Sequence, residues 1–268
     1  MQGRVLIVAG SDSGGGAGIQ ADIKAVTALG AFAATAITAL TAQNTRGVMG
    51  VFPVPTDFIA QQMTVVLDDI GADAIKTGML HSAAVIDSVV DTLTKHAPDI
   101  PLVVDPVMVA KGGAPLLLPE ARQALIHRLL PRATLLTPNL PETEVLTGQT
   151  IRDVDGMRRA AEMLLQMGPS AVLVKGGHLE GPRVVDVLLS KNGAHLFEDE
   201  RIESRSTHGT GCTLASAIAA GIAQGLDLIA SVERARRYLR LAILQAPGLG
   251  SGHGPLNHAV TVSHLPDV

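Results

Sequence analysis

Short apolar runs alternate with longer amphipathic stretches along most of the chain. The runs that predict strands cover residues 4–10, 33–38, 50–54, 72–78, 101–107, 134–139 and 171–177. Apolar residues recur with a helical period over 17–29, 56–69, 82–96, 119–130, 141–147 and 153–167. Several strands are apolar at nearly every residue, which is typical of a parallel sheet covered by helices on both faces. The alternation predicts one α/β domain over residues 1–268, with right-handed crossovers.

The pattern changes between residues 184 and 202. Two strand-like runs flank the pair Asn192-Gly193, which is a favourable turn for a hairpin. Two further helices are predicted near 212–224 and 227–245. The sequence contains no repeat, low-complexity tract or Pro/Ser-rich linker, which supports the single domain.

Composition narrows the class of protein. Apolar residues make up 47% of the 268 residues and charged residues 17%, as expected of a globular chain. Four Phe, one Tyr and no Trp leave few rings on which several bases could stack. The net charge of −4, without a run of Lys or Arg, gives no basic surface for nucleic acid. We therefore expect no nucleic-acid partner.

The single cysteine and the N-terminus bear on location. One cysteine excludes an intramolecular disulfide framework, which fits a reducing compartment. The apolar run in MQGRVLIVAG is too short for a signal peptide or a membrane span, so it predicts a first strand. We expect a soluble, cytoplasmic protein with no membrane partner.

Polar and glycine-rich segments follow the ends of the predicted strands. Ligands in open parallel sheets bind beyond these carboxyl ends, so the segments predict a binding site. They are Gly10-Ser11-Asp12, Thr77-Gly78-Met79, Asp105-Pro106-Val107, Thr137-Pro138-Asn139 and Lys175-Gly176-Gly177.

The first glycine-rich turn, GSDSGGGAGIQAD (10–22), leads from a strand into a helix, a layout that binds phosphate or other close-approaching small molecules. It lacks the Gly-Lys-Ser/Thr ending of a P-loop. Its formal dinucleotide pattern lacks the acidic residue expected about twenty positions later, since no Asp or Glu stands between Asp22 and Asp57. A plain turn that needs glycine for positive φ is the alternative.

A second glycine-rich segment, His208-Gly209-Thr210-Gly211, precedes an apolar helix. The unpaired amides and positive dipole end of such a helix favour an anion, such as a phosphoryl group in transfer. Cys212 stands at this helix start, where the field predicts a lowered thiol pKa. A small buried structural cysteine is the equal alternative.

Charged and amide groups elsewhere suit phosphoryl transfer. Asp105 and Lys175 each end an apolar strand, which suggests a metal ligand and a charge aimed at an anion. Asn139 and Glu142 lie at another strand-to-helix junction, although Glu142 could equally be an ordinary N-terminal helix charge. Gln43 offers an amide that suits the edge of a heterocycle with an amino group and a ring nitrogen. For His208 we favour a hydrogen-bonded structural role over contact with phosphate.

Seven stretches between residues 5 and 213 together resemble the hydroxymethylpyrimidine/phosphomethylpyrimidine kinases of thiamine biosynthesis, in the ribokinase-like superfamily. The stretches are GSDSGGGAGIQAD, ITALTAQNTRGV, KTGML, VVDPVMVAKGG, LLTPNLPE, VLVKGGH and THGTGCT, and GHGPLNH (252–258) resembles the family's tail. The order of the stretches makes the likeness more specific than any one motif. In the first loop, Ser13-Gly14-Gly15-Gly16-Ala17-Gly18 departs from the Pro-Ser-Gly-Gly-Ala-Gly more common in the family.

The resemblance implies a three-layer α/β/α sandwich with a mostly parallel sheet, ATP and Mg²⁺, and a homodimer. It also implies two steps: phosphorylation of 4-amino-5-hydroxymethyl-2-methylpyrimidine, then of the resulting monophosphate to the pyrophosphate. By the same resemblance, the pyrimidine site comprises Gln43, Gly10, Asp22, Met79 and Val107, and the metal site Asp105 and Glu142. The ATP site comprises Asn139, Lys175 and Thr207, and the catalytic group comprises Lys175, Gly209, Thr210, Gly211 and Cys212.

Many ribokinase relatives have an aspartate base where this chain has Cys212. Because a thiol is a poor base for an alcohol, we expect Cys212 to assist acceptor positioning and the first transfer. Two alternatives stay open. A pyridoxal or pyridoxine kinase of vitamin B6 salvage shares the fold, and a non-catalytic pyrimidine-binding module would not need Asp105, Lys175 and the anion hole together.

Overall fold

The computed structural model describes residues 1–110 and 112–262. Within these ranges an eight-stranded sheet has the spatial order β10-β9-β8-β7-β6-β5-β1-β2, and β3 and β4 form a separate pair. The strands are β1 (Arg4–Ala9), β2 (Phe32–Ile37), β3 (Ala39–Asn44), β4 (Gly47–Pro53), β5 (Ala74–Thr77), β6 (Leu102–Val104), β7 (Leu135–Leu136), β8 (Ala171–Val174), β9 (Arg183–Ser190) and β10 (Gly193–Glu200). The six strands from β8 to β2 pair in parallel, and β9 and β10 add as an antiparallel hairpin at one edge.

Helices connect the strands as the periodicity predicts. They are α1 (Gly18–Ala28), α2 (Thr56–Asp69), α3 (Ala83–His96), α4 (Ala121–Ala124), α5 (Leu140–Thr147), α6 (Val154–Leu165), α7 (Thr210–Ala223) and α8 (Leu228–Leu244). A wide π-type turn and a tight 3₁₀ turn extend α4 through residues 125–132, so the predicted helix at 119–130 is irregular. None of the helices in the described ranges combines the length and the hydropathy that a bilayer span requires.

Two apolar cores lie on opposite faces of the sheet. Along β1, Leu6 and Val8 enter a core with residues of α2, α3 and α6, whereas Val5, Ile7 and Ala9 enter one with residues of α1, α7 and α8. Since successive side chains of a strand point to opposite faces, a strand with helices on both sides is apolar throughout. The three-layer α/β/α sandwich with a mostly parallel sheet is confirmed.

One predicted strand belongs elsewhere. The run at 50–54 was expected among the parallel strands, but it lies in β4 and pairs antiparallel with β3. Residues 39–44 were not predicted as a strand, because Gln43 and Asn44 resemble the start of a polar loop. Burial alternates along β3, with Ala39 and Thr41 buried and Leu40 exposed, so this ribbon has one face toward the protein.

The strand order places an opening at the carboxyl end of the sheet. From β1, the chain adds β2 on one side and β5 on the other, so connections leave this point in opposite directions. Such a reversal separates the loops that follow neighbouring strands and leaves a crevice for a ligand. Gly10 follows β1 and Gly78 follows β5, which places both at this crevice.

The turn after β8 provides a test of close packing. A Cβ on Gly176 would overlap the Val185 carbonyl oxygen, whereas a Cβ on Gly177 would meet no atom within 4 Å. We expect Gly176→Ala to lower the free energy of unfolding by about 1–3 kcal/mol, the usual cost of overpacking. Gly177→Ala is the matched control and should change it by less than about 0.5 kcal/mol. Equal denaturant midpoints for the two variants would contradict this account.

Candidate active site

A cavity of about 470 Å³ opens at the carboxyl ends of the parallel strands. It brings together every sequence-predicted site residue except Asp22. These are Gly10, Gln43, Met79, Asp105, Val107, Asn139, Glu142, Lys175, Thr207, Gly209, Thr210, Gly211 and Cys212. A groove of about 510 Å³ between β10 and α8 is larger but contains none of them. We therefore place the chemistry in the cavity at the strand ends.

One end of the cavity contains a buried ion pair. Lys175 Nζ lies 3.0 Å from Asp105 Oδ1, and only 13% of the Lys175 side chain and 3% of the Asp105 side chain are exposed. Burial alone would lower the pKa of Lys175, but the carboxylates of Asp105 and Glu142 raise it. The ammonium group is therefore charged and lies near Gly211, at the start of α7. A fixed positive charge beside a helix N-terminus suits a phosphate group.

Asn139 and Glu142 form a reciprocal cap at the start of α5. Asn139 Oδ1 accepts from the Glu142 amide at 2.9 Å, and Glu142 Oε2 accepts from the Asn139 amide at 2.8 Å. Glu142 therefore has the role that the sequence offered as an alternative, that of a charge at the N-terminus of a helix. Burial also raises the pKa of Glu142 to about 7, with Lys175 opposing and Asp105 adding to the shift. A cation bound between Glu142 and Asp105 would favour the charged form of Glu142 and so lower its pKa.

The donor set suits Mg²⁺ rather than a metal held by protein alone. The described residues contain no cluster of three or more His, Cys, Asp or Glu side chains that could hold a metal ion. Mg²⁺ commonly binds through one or two carboxylates and completes its shell with waters and substrate phosphates. Asp105 and Glu142 supply two carboxylates in one cavity, so the residues fit such an ion.

The start of α7 borders the same end of the cavity. Its N-cap is Gly209 at φ 80°, without a side-chain cap, and the Thr213 amide makes the first helical bond, to the Gly209 carbonyl at 2.9 Å. The amides of Thr210, Gly211 and Cys212 precede that bond, and all three residues line the cavity. Helix-start amides of this kind bind anions.

Cys212 differs from expectation. The helix field predicted a lowered thiol pKa, but burial raises the pKa of Cys212 to about 12, and Asp22 and Asp105 add to the effect. Lys76 and the Gly18 amide oppose the shift without cancelling it. The prediction was wrong because withdrawal from water outweighs one helix terminus. Cys212 is therefore protonated at neutral pH.

The backbone amides of the first glycine-rich loop bind a carboxylate of the protein itself, the side chain of Asp12. Asp12 is 2% exposed, and its carboxylate accepts from the amides of Gly14, Gly16 and Ala17 at 2.8–3.0 Å. His208 Nε2 lies 2.8 Å from the same carboxylate. Burial would raise the pKa of Asp12, but these hydrogen bonds lower it. In the loop that resembled a phosphate site, these three amides therefore donate to Asp12 rather than to a bound phosphate.

The opposite end of the cavity is mainly apolar. Met79 belongs to a small cluster with Ala39 and Leu116, against which Val107 packs. Gln43 is on β3, where the alternation of the strand directs it and Thr41 toward the cavity. Gly10 completes this end, and a Cβ there would press on the Met79 sulfur at 2.9 Å. Apolar side chains beside one amide suit a small heteroaromatic ring.

Asp22, predicted at the pyrimidine, does not line the cavity. It is fully buried on α1, where both of its oxygens lie 2.8 Å from Lys76 Nζ and Oδ1 accepts from Ser216 Oγ at 2.7 Å. Its partner Lys76 does line the cavity. Asp22, Lys76 and Ser216 form a buried triad that joins α1, β5 and α7. The charges of Asp22 and Lys76 act on the nearby thiol of Cys212.

Sequence reasoning missed Lys76 as an element of the site, and it missed the pairing of Asp12 with His208, although the hydrogen-bonded role favoured for His208 is what the structure shows. Lys76 offered the same signal as Lys175, a lysine at the end of an apolar strand, but it was included only within the motif KTGML. Asp12 and His208 lie 196 residues apart, and nothing in the sequence indicates that they bond.

The fold and the motifs agree with comparisons to known proteins. Residues 12–257 match the model of the family described as phosphomethylpyrimidine kinase. The chain belongs to this family. It is therefore an enzyme of the phosphotransferase class.

Three relatives illustrate the range of similar proteins. The thiamine biosynthesis bifunctional protein ThiED of Geobacter sulfurreducens is 52% identical over 99% of this chain, which spans only 54% of that protein. A hydroxymethylpyrimidine/phosphomethylpyrimidine kinase of Streptomyces coelicolor is 48% identical, covering 95% of this chain and 93% of the relative. The ADP complex of Bacillus subtilis pyridoxal kinase superposes with a TM-score of 0.89 at 36% identity, over 97% of this chain and 98% of that one.

Removal of one charged partner from the buried triad should strongly destabilise the protein. In Lys76→Met the carboxylate of Asp22 stays buried without its partner, which should lower the free energy of unfolding by about 3–5 kcal/mol. Asp22→Asn/Lys76→Met removes both charges and should cost less than the sum of the two single changes. Arg183→Met, in the exposed pair with Glu198, is the control and should cost less than about 1 kcal/mol. Additive urea-unfolding losses for Asp22 and Lys76 would contradict the coupling.

The raised thiol pKa predicts that Cys212 is slow to alkylate. At pH 8 only a small fraction is thiolate, so iodoacetamide should label folded protein at least about a hundredfold more slowly than free cysteine. Unfolded protein should react at the ordinary rate, and this is the internal control. Because the reactive form is the base, the rate should still be rising at pH 10. A plateau near pH 7 would show that the helix field prevails after all.

Proposed function

We propose that this chain is an ATP-dependent kinase that phosphorylates 4-amino-5-hydroxymethyl-2-methylpyrimidine and then its monophosphate, giving the pyrophosphate used in thiamine biosynthesis. The observation that carries the proposal is a single cavity with two different ends. Gln43 and a group of apolar side chains form one end, and Lys175, Asp105 and the start of α7 form the other. A transfer reaction needs this arrangement, whereas a binding module does not.

The acceptor end fits the pyrimidine. Met79, Val107 and Leu116 offer apolar faces to a planar ring. The Gln43 amide pairs with the edge that carries the amino group and a ring nitrogen, since an amide has a donor and an acceptor in one plane. Gly10 leaves room for the ring to approach the backbone.

The nucleotide occupies the donor end and the space next to it. A second cavity of about 280 Å³ adjoins the first and shares Asn139, Lys175, Thr207, Thr210 and Gly211 with it. We assign the nucleoside of ATP to this space and its phosphates to the shared residues. Lys175 then contacts the phosphates, as a point charge does at many phosphate sites.

Asp105 and Glu142 would hold Mg²⁺ that enters with ATP. When bound, the ion neutralises charge on the phosphate oxygens and orients them. On the protein side, Lys175 and the amides of Thr210, Gly211 and Cys212 surround the group in transfer. Donors fixed before the reaction stabilise developing charge without reorganising, so these residues supply most of the rate.

Cys212 positions the acceptor as a neutral thiol. A thiol with a pKa of about 12 does not remove a proton from an alcohol at neutral pH. In the second step the acceptor is a phosphate that is already ionised, so that step needs no base. Asp22 does not contact the acceptor. It binds Lys76 and Ser216, and through Ser216 it fixes the position of α7, the helix that carries Cys212.

Vitamin B6 is the competing acceptor. The structural similarity to a pyridoxal kinase extends over 97% of the chain, so the same cavity could accept pyridoxal or pyridoxine. A thiol next to the acceptor could also add to the aldehyde of pyridoxal. The higher identity to a hydroxymethylpyrimidine/phosphomethylpyrimidine kinase favours the pyrimidine.

We also propose that the protein is a homodimer. Leu40 and Phe52 lie opposite each other across β3 and β4, and 46% and 68% of their surfaces are exposed. Paired exposed apolar side chains of this size are typical of an interaction surface. The cytoplasmic location stays a prediction.

ADP release from Mg-ATP tests the assignment with four conditions: the hydroxymethylpyrimidine, its monophosphate, pyridoxal and no acceptor. We expect turnover of both pyrimidines. Gln43→Ala should lower kcat/KM for the hydroxymethylpyrimidine by about tenfold or more, the usual value of a two-point hydrogen-bonded contact. Gln149→Ala, at an exposed position after α5, is the matched control.

The other outcomes are distinct. Turnover of pyridoxal alone would transfer the chain to vitamin B6 salvage. ADP release that no acceptor stimulates would contradict the kinase assignment, and equal losses in the two glutamine variants would remove Gln43 from the acceptor site.

A further inference from the structure

The amide of Gln43 lies between two side chains that could set its orientation. Gln43 Oε1 is 3.2 Å from Thr41 Oγ1, and Gln43 Nε2 is 3.2 Å from His208 Nε2. The two ends of an amide have nearly the same shape but opposite hydrogen-bonding character. The protons on Thr41 and His208 therefore decide which end faces which neighbour.

His208 offers Gln43 a donor. Its Nε2 lies 2.8 Å from Asp12 Oδ2, a buried carboxylate that also accepts three backbone amides. A carboxylate with these partners is ionised and only accepts, so Nε2 carries a proton. An N–H that faces the amide nitrogen of Gln43 brings two donors together. Facing the amide oxygen, it forms a shared hydrogen bond.

Thr41 offers Gln43 an acceptor. Its hydroxyl has one proton and two possible acceptors, the Ser11 carbonyl at 2.8 Å and the Gln43 amide at 3.2 Å. The shorter contact takes the proton, because hydrogen bonds weaken with distance. The hydroxyl oxygen then accepts from Gln43. Both neighbours thus favour an amide turned by 180°, with its nitrogen toward Thr41 and its oxygen toward His208.

The surroundings keep these groups in place. Ser13 Oγ accepts from the Gln43 amide of the main chain and donates to its carbonyl, both at 2.8 Å. The His208 backbone N–H donates to the Gly254 carbonyl at 3.1 Å, and the His253 N–H donates to the Thr45 carbonyl at 2.9 Å. The C-terminal segment 252–255 therefore connects the loop that carries His208 to the end of the ribbon that carries Gln43.

We propose that His208 and Thr41, held by Asp12 and by the Ser11 carbonyl, fix the Gln43 amide in one orientation and so distinguish an aminopyrimidine from its oxo counterpart. The aminopyrimidine edge presents a donor beside a ring acceptor, and the oxo edge presents an acceptor beside a ring N–H. A fixed amide matches one order only. A freely turning amide matches both. The inference rests on the proposed function, and it makes His208 and Thr41 positioning residues for specificity.

The test compares kcat/KM for 4-amino-5-hydroxymethyl-2-methylpyrimidine with that for its 4-oxo counterpart, from ADP release. We expect the wild-type protein to prefer the amino compound by about tenfold or more, since an unpaired buried polar group is costly. His208→Leu and Thr41→Val should each reduce this ratio by about tenfold. His208→Gln keeps an N–H donor and should retain most of the ratio.

Matched controls separate specificity from general damage. His96→Leu removes a histidine that contacts Asp68 away from the cavity, and Thr94→Val removes a helical threonine hydroxyl. Both should leave the ratio unchanged. If His208→Leu does not fold, Thr41→Val and His208→Gln still decide the matter.

Three results would overturn the inference: no preference in the wild-type protein, an unchanged ratio in Thr41→Val and His208→Leu, or an equal fall in the controls. A protein that turns over neither pyrimidine would instead show that the proposed function is wrong, and the specificity device would fall with it. These failures are distinguishable because turnover of the amino compound is measured first.

Discussion

The candidate site depends on one buried carboxylate, that of Asp12. Burying a charge is costly unless hydrogen bonds replace the lost water, and here three amides and His208 do so. The carboxylate thereby folds the first glycine-rich loop around itself. A Cβ on Gly209 would overlap the Gly16 carbonyl oxygen, so this loop in turn supports the start of α7 from behind. The loop that resembles a phosphate site therefore packs against the start of α7, and the glycines at this contact allow one backbone to approach the other closely.

Two buried lysines give the cavity its electrostatic character. Lys76 lies within β5 and Lys175 directly follows β8, and each has an aspartate partner, Asp22 and Asp105 respectively. In the first pair both side chains are 0% exposed, and the ion pair connects α1 to β5. The second pair lines the cavity beside Glu142. The two pairs thus have the same residue types but differ in burial.

The sequence allowed prediction of what depends on local pattern. Apolar periodicity predicted the layers, and the polar strand ends located the cavity, because the carboxyl ends of parallel strands must meet at one edge. It could not predict partners distant in the chain, so Asp12 with His208 and Asp22 with Lys76 were missed. Nor could it give the thiol pKa of Cys212. The local helix start was visible in the sequence, whereas the burial and the two nearby aspartates that outweigh it exist only in the folded chain.

A neutral Cys212 changes what the proposed reaction asks of the protein. An alcohol and a phosphate monoester differ in charge and in the need for a base, yet both would react in one cavity. A strong base near the acceptor would help the alcohol but repel the phosphate once ionised. A thiol held protonated by burial is compatible with both acceptors because it adds no charge. In the proposed reaction, Lys175 and the α7 amides would act on the group in transfer, and that group is the same in both steps.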